Sequence, residues 1–104
     1  MKQFIIIAYD AKDEGAQQRR MDARLAHLEL ITQMRAAGQI LFGIAILDSR
    51  EKMIGSLVVA NFLNRAECDN WLKAEPYVVG KVWHDITVLD GKLPPTFADL
   101  IKKE

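Results

Sequence analysis

The sequence is poor in the residues that mark specialised classes of protein. Cys68 is the only cysteine, so no intrachain disulfide can form, and no cysteines and histidines have the spacing of a zinc site. The 14 cationic and 14 acidic residues cancel, which leaves no basic excess for nucleic acid or for an anionic membrane surface. We therefore expect neither as a partner.

Long apolar runs and phosphate-binding loops are missing as well. Residues 5–7 are isoleucines, too few for the apolar part of a signal peptide, and no run approaches a membrane-spanning length. No glycine-rich segment resembles a phosphate or dinucleotide loop. We expect a cytoplasmic protein with no cofactor and no metal, in a single domain over residues 1–104.

The apolar and turn-forming residues predict an alternation of strands and helices. Strands are predicted over 2–9, 40–47, 53–62 and 81–89, helices over 17–37 and 65–74, and a short C-terminal helix from Thr96. Gly38 suits the end of the first helix. Asn64 and Glu67 form a capping-box start for the second, and Pro76 ends it. This order is that of the ferredoxin-like βαββαβ fold, an α+β fold with two helices on one face of a four-stranded antiparallel sheet.

The first three predicted strands are apolar on both faces, since runs such as residues 4–7 do not alternate with polar residues. The two helices cover only one face of the sheet, and an exposed apolar sheet would be an aggregation hazard. We therefore predict a homodimer in which two sheets pack face to face, as in dimeric α+β barrels.

The first helix carries two ionisable residues on its apolar side. At 100° per residue, the apolar stripe consists of Met21, Leu25, Leu28, Ile31 and Met34. Arg24 lies near the middle of this stripe, and His27 lies within it. Charged groups on a buried face are costly unless they are paired or used in function, although an arginine stem can also reach from such a stripe to water.

Three segments resemble the YciI (YCII-related) family. Residues 24–28, RLAHL, followed by residues 37–41, AGQIL, resemble the family's R-x-x-H-L…G-x-L signature. Residues 55–56, GS, open the third strand, and residues 74–78, AEPYV, resemble the family's A-D-P-Y segment before the last strand. The resemblance implies a dimeric ferredoxin-like fold with a small-molecule site centred on a histidine and an aspartate.

The family includes a lyase-type dehydrochlorinase that acts on a chlorinated aromatic compound. His27 occupies the histidine position, but Glu75 stands at the aspartate position and places the carboxylate one methylene further out. Ile44 replaces the proline that tends to follow Gly43, and the connection 48–52 is shorter than in many relatives. The class of substrate therefore need not carry over.

The resemblance makes His27 the predicted acid/base catalyst, because imidazole gives or takes a proton near neutral pH. The alternative is a core histidine that bonds a backbone carbonyl. Glu75 would orient His27 and favour its charged form. The alternative for Glu75 is an exposed carboxylate before Pro76.

Three further side chains are predicted to bind the substrate. Arg24, one turn before the histidine, would hold an anionic group such as a carboxylate or phenolate, or else pair with an acid such as Glu75. Ser56 would donate a hydrogen bond to a developing oxyanion, or else allow close packing after glycine. Tyr77 would line the pocket, whereas His84 suits a packed or dimer-interface position.

The leading hypothesis is an enzyme of the lyase or isomerase kind that acts on a small anionic or aromatic ligand. Its pocket would lie between helix and sheet, near the end of the second helix. One alternative is a ligand-binding or regulatory homodimer without turnover, which would keep Arg24 but need no base. The other is a structural interaction module, which would have no pocket near His27.

Overall fold

The computed structural model describes residues 1–101. Its strands are β1 (Lys2–Asp10), β2 (Ile40–Leu47), β3 (Met53–Phe62) and β4 (Trp83–Gly91). Its helices are α1 (Ala16–Ala36), α2 (Arg65–Ala74), α3 (Pro76–Val79) and a C-terminal 3₁₀-helix (Pro95–Leu100). Every predicted strand and helix is present, and α3 is additional.

The strands form one antiparallel sheet in the order β2-β3-β1-β4. The first strand therefore lies in the interior of the sheet, and the hairpin of β2 and β3 places β2 at an edge. Together with the helices that follow β1 and β3, this topology confirms the ferredoxin-like α+β fold.

Alternate strand residues and the inner sides of the helices form the core. Its main members are Phe4, Ile6, Ala8, Met34, Val58, Ala60, Cys68 and Trp71. The Asn64 half of the predicted capping box is confirmed, since the Asn64 side chain accepts from the Glu67 N–H at 3.0 Å. This cap fixes the start of α2 and so turns Cys68 and Trp71 toward the sheet.

The opposite face of the sheet is apolar but only partly covered. Ile5 and Ile7 of β1 are half-buried, and Phe42 and Ile44 of β2 are 53% and 57% exposed. A single chain leaves this face open, in keeping with the apolar pattern of the first three strands. The homodimer that would cover it stays a prediction.

The side of α1 that faces the sheet differs from the predicted one. Its buried residues are Ala16, Arg20, His27 and Met34. Three residues of the predicted stripe, Met21, Leu25 and Leu28, are 55%, 70% and 44% exposed, so that part of the prediction is wrong. Arg20 and His27 each meet a buried carboxylate, so polar pairing as well as apolar packing determines which side of α1 turns inward.

A short extra helix follows α2. The residue between them, Glu75, is extended (φ −63°, ψ 125°), and α3 begins at Pro76, because proline suits the first position of a helix. The prediction that Pro76 ends α2 is confirmed, but α3 itself was missed. As a result β4 starts at Trp83 rather than at Lys81.

Candidate active site

A cavity of about 220 Å³ opens between α1 and the hairpin of β2 and β3. Its polar wall consists of Arg20, Arg24, His27, Ser56 and Tyr77. The cavity exists because the residues of β2 that face the helix here, Gly43 and Ala45, have small side chains or none. A cavity that reaches His27 rules out the predicted alternative of a module without a pocket there.

Glu75 is completely buried at the junction of α2 and α3, so the alternative of an exposed carboxylate is wrong. Its Oε1 accepts from His27 Nδ1 and, at 3.2 Å, from the Tyr77 backbone N–H. Its Oε2 accepts from Trp71 Nε1 at 3.1 Å. Three donors thus satisfy a carboxylate whose burial would otherwise be costly.

His27 lies on the inner side of α1 and is 9% exposed. An ionised carboxylate can only accept, so opposite an ionised Glu75 the ring proton of neutral His27 lies on Nδ1 and the lone pair on Nε2. Nε2 has no hydrogen-bond partner within residues 1–101. The ring stacks on Tyr77 with centroids 3.8 Å apart and planes 9° apart. The alternative of a core histidine bonded to a backbone carbonyl is wrong, because a carboxylate occupies that position.

Arg24 lines the cavity without a carboxylate partner. Its Nη1 lies 3.5 Å from Met53 Sδ, a weak acceptor, and no acidic side chain in the described part of the chain pairs with it. The alternative of an ion pair with Glu75 is therefore wrong. A half-buried guanidinium without a counterion is suited to an anionic group of a ligand.

Sequence reasoning missed a second buried ion pair, between Arg20 and Asp10. Arg20 Nη1 donates to both carboxylate oxygens of Asp10, at 2.9 and 2.8 Å, and both side chains are almost fully buried. Burial raises the pKa of Asp10, although Arg20 acts in the opposite direction. A signal was present, since Arg20, Arg24 and His27 have the spacing of one helix face.

Ser56 faces the cavity from β3. Its Oγ accepts from Arg20 Nη2 and from Trp83 Nε1, each at 3.2 Å. The alternative of close packing applies instead to the preceding Gly55, where a Cβ would lie 2.5 Å from the Ala8 carbonyl oxygen. Glycine lets β1 and β3 approach, and the serine hydroxyl is directed to the site.

Two other residues of interest lie apart from the cavity. His84 is exposed, so the prediction that it packs within the chain is wrong, and a role in a dimer interface is untested. Burial raises the pKa of the Cys68 thiol to about 11, which keeps it protonated and unreactive at neutral pH.

Within residues 1–101, no three or more His, Cys, Asp or Glu side chains are grouped to hold a metal ion.

No described helix is long and apolar enough to cross a membrane. The cytoplasmic location stays a prediction from the sequence.

The sequence model of the YCII-related domain matches residues 1–92. No curated protein matches the chain. Among solved structures, a 5-chloro-2-hydroxyhydroquinone dehydrochlorinase from Burkholderia phenoliruptrix AC1100, in complex with 2,5-dihydroxybenzoquinone, is similar with a TM-score of 0.77. It is 21% identical in sequence, and the match covers 90% of this chain and 97% of that one.

Two further solved structures are similar at lower scores. An antibiotic biosynthesis monooxygenase has a TM-score of 0.53 at 17% identity, covering 91% of this chain and 100% of that one. A dimeric ferredoxin-like protein of unknown function from Jannaschia sp. CCS1 has a TM-score of 0.50 at 18% identity, covering 89% and 100%. At these identities the likeness shows the fold alone.

Proposed function

Because the chain belongs to the YCII-related domain family, we propose that it is a small-molecule enzyme of the lyase or isomerase kind, with His27 as its acid/base. The observation that carries this proposal is the pairing of His27 with the buried Glu75 at the wall of a cavity. A carboxylate that holds Nδ1–H leaves Nε2 as a base toward the cavity, and it stabilises the imidazolium that forms when Nε2 takes a proton.

The proposed reaction begins when His27 Nε2 removes a proton from a hydroxyl or C–H group of the substrate. In an isomerisation, His27 returns that proton at another atom. In an elimination, a leaving group departs instead with its electron pair. The dehydrochlorinase among the similar structures supports the second class, since loss of a proton and a chloride is an elimination.

The cavity wall favours a small substrate with an anionic oxygen. Arg24 supplies an unpaired cation, and Ser56 and Tyr77 supply hydroxyl groups. Leu28 and Ile31 of α1 line the remaining wall, which suits a ring or another compact apolar body. Arg24, Ser56 and Tyr77 are therefore the proposed substrate-binding residues.

The test separates chemistry from binding. Chloride release from 5-chloro-2-hydroxyhydroquinone measures turnover, and titration with 2,5-dihydroxybenzoquinone measures binding. We expect His27→Gln to lose at least about 100-fold in turnover, the usual contribution of general acid–base catalysis, while binding changes little. His84→Gln is the matched control, because His84 is exposed and lies outside the cavity.

The outcomes are distinct. Turnover by the wild type that collapses in His27→Gln alone supports the enzyme. Binding without turnover by the wild type rejects the dehydrochlorinase reaction and favours the ligand-binding homodimer. Absence of both rejects this class of ligand for the cavity.

We also propose that two copies pack through the open face of the sheet. Ile5 and Ile7 of β1 and the exposed Phe42 of β2 give this face an apolar surface. One of the similar solved structures is described as dimeric, which supports an assembly of two copies. Burial of this surface would remove the aggregation hazard that a single chain presents.

A further inference from the structure

Tyr77 has a hydroxyl that the folded chain leaves unsatisfied. The side chain is 1% exposed, stacks on His27 and lies under Arg20, whose guanidinium carbon is 4.9 Å from the ring centroid. Its Oη has no hydrogen-bond partner in the described residues. Most buried polar groups are paired, because an unpaired one destabilises the fold. The stability of the fold therefore does not explain this hydroxyl, and a function in ligand binding does.

The groups around this hydroxyl are hydrogen-bond donors, and none of them is free to accept a hydrogen bond from it. Arg20 and Arg24, which line the same cavity, carry only N–H donors. The two buried carboxylates of the site are already engaged, one by Arg20 and the other by His27. Burial raises the pKa of Tyr77, although Arg20 and Arg24 act in the opposite direction, and Arg24 can only donate toward the phenol oxygen, so the hydroxyl proton still has no acceptor.

Ser56 presents a second proton to the same cavity. A hydroxyl oxygen has two lone pairs, and those of Ser56 accept from Arg20 Nη2 and Trp83 Nε1. Its own proton has no acceptor within residues 1–101. The polar wall thus offers two hydroxyl donors, and a ligand can bond to them only through a hydrogen-bond acceptor.

We propose that Tyr77 Oη–H and Ser56 Oγ–H donate to an anionic oxygen of the ligand, and that they favour ligands with this oxygen over neutral molecules that lack it. This inference rests on the proposed function. In that function, negative charge collects on this ligand oxygen when His27 removes a proton. Arg20 is a positioning residue in this arrangement, because it fixes the Ser56 hydroxyl without needing to touch the ligand itself.

The proposal is tested with 4-nitrophenolate, whose absorbance reports binding without any turnover. We expect Tyr77→Phe to bind it about tenfold to a hundredfold more weakly, the loss typical of a hydrogen bond to a charged group. Nitrobenzene, which lacks the anionic oxygen, should bind both proteins equally. Tyr9→Phe is the matched control, since Tyr9 is 43% exposed and does not line this cavity.

The stability of Tyr77→Phe provides a second test, because the direction of its change separates a ligand-binding hydroxyl from a structural one. Phenylalanine keeps the ring that stacks on His27 and removes only the unsatisfied hydroxyl, so the urea midpoint of Tyr77→Phe should rise. A hydroxyl with a structural role would instead lower the midpoint when it is removed.

The proposal is overturned by undiminished 4-nitrophenolate binding in Tyr77→Phe, by a lower urea midpoint in that variant, or by absence of binding in the wild type. These outcomes are separate from the proposed chemistry. Binding that depends on Tyr77 without release of chloride supports the oxyanion site and rejects the dehydrochlorinase reaction. Undiminished binding in Tyr77→Phe overturns the oxyanion site even where His27→Gln abolishes turnover.

Discussion

His27 Nδ1 and Glu75 Oε1 meet in the interior although 48 residues separate them in the sequence. The imidazole comes from the middle of α1 and the carboxylate from the junction of α2 and α3. The same carboxylate accepts from the Tyr77 backbone N–H at the start of α3. The contact therefore links the long helix to the segment that leads into the last strand.

Glu75→Gln should remove the charge while it preserves the size of the side chain. An amide can offer Nδ1 only its oxygen and leaves its NH₂ group close to Trp71 Nε1, so we expect the free energy of unfolding to fall by about 1–3 kcal/mol. Turnover should fall at least about 100-fold, because His27 loses its orienting partner. Nitrogen NMR of the imidazole measures which ring nitrogen carries the proton. The proposal is contradicted if Nδ1 stays protonated and turnover persists. Glu67→Gln is the exposed control.

Cys68 should make stability depend on pH in the alkaline range. Burial raises its pKa from 9.0 to about 11, so the unfolded chain loses the thiol proton first. The free energy of unfolding should therefore fall as pH rises between these two values, by at most about 3 kcal/mol. Urea unfolding of the wild type and of Cys68→Ala measures the difference. An equal slope with pH in both proteins would contradict the prediction.

Ile7→Lys should separate the proposed homodimer. Ile7 lies in the interior strand β1, pairs with Leu57 of β3 and Thr87 of β4, and points to the open face. A lysine there would place a charge between the packed sheets. The free-energy cost of removing that charge from water would exceed what the apolar contact between the sheets contributes. We expect a dimer for the wild type at micromolar concentration and a folded monomer for the variant, as measured by sedimentation equilibrium. Leu25→Lys, on the exposed side of α1, should remain dimeric. A monomeric wild type would refute the assembly.

The strands and the start of α2 could be predicted because their signals are local. Apolar runs with turn residues between them mark the strands, and the Asn64 side chain bonds a residue only three positions away. The resemblance to a family then added the histidine and the carboxylate position. Local pattern and motif therefore suffice for the order of the elements and for the first candidate residues.

The apolar residues of α1 predicted its inner side only in part, since Ile31 and Met34 face the core but Met21 and Leu25 do not. Arg20 turns inward because Asp10, at the end of β1, lies where its guanidinium can bond both carboxylate oxygens. This partnership depends on the packing of a helix against a strand, which a helical wheel does not contain. The same limit applies to Glu75, whose burial follows from a capping role in α3 that the proline alone did not reveal.

Gly43→Val should close the cavity without harming the fold. A Cβ at Gly43 would lie 3.8 Å from its nearest neighbour, the Leu57 carbonyl oxygen, so a larger side chain enters empty space and meets no backbone clash. We expect the free energy of unfolding to stay equal or to rise by about 0.5–1 kcal/mol, since glycine weakens a strand. Binding of 4-nitrophenolate should be lost, because valine occupies the volume that the ligand needs. Gly55→Ala gives the contrast, since its Cβ would lie 2.5 Å from the Ala8 carbonyl oxygen and should destabilise the sheet. Binding that survives in Gly43→Val would place the ligand site elsewhere.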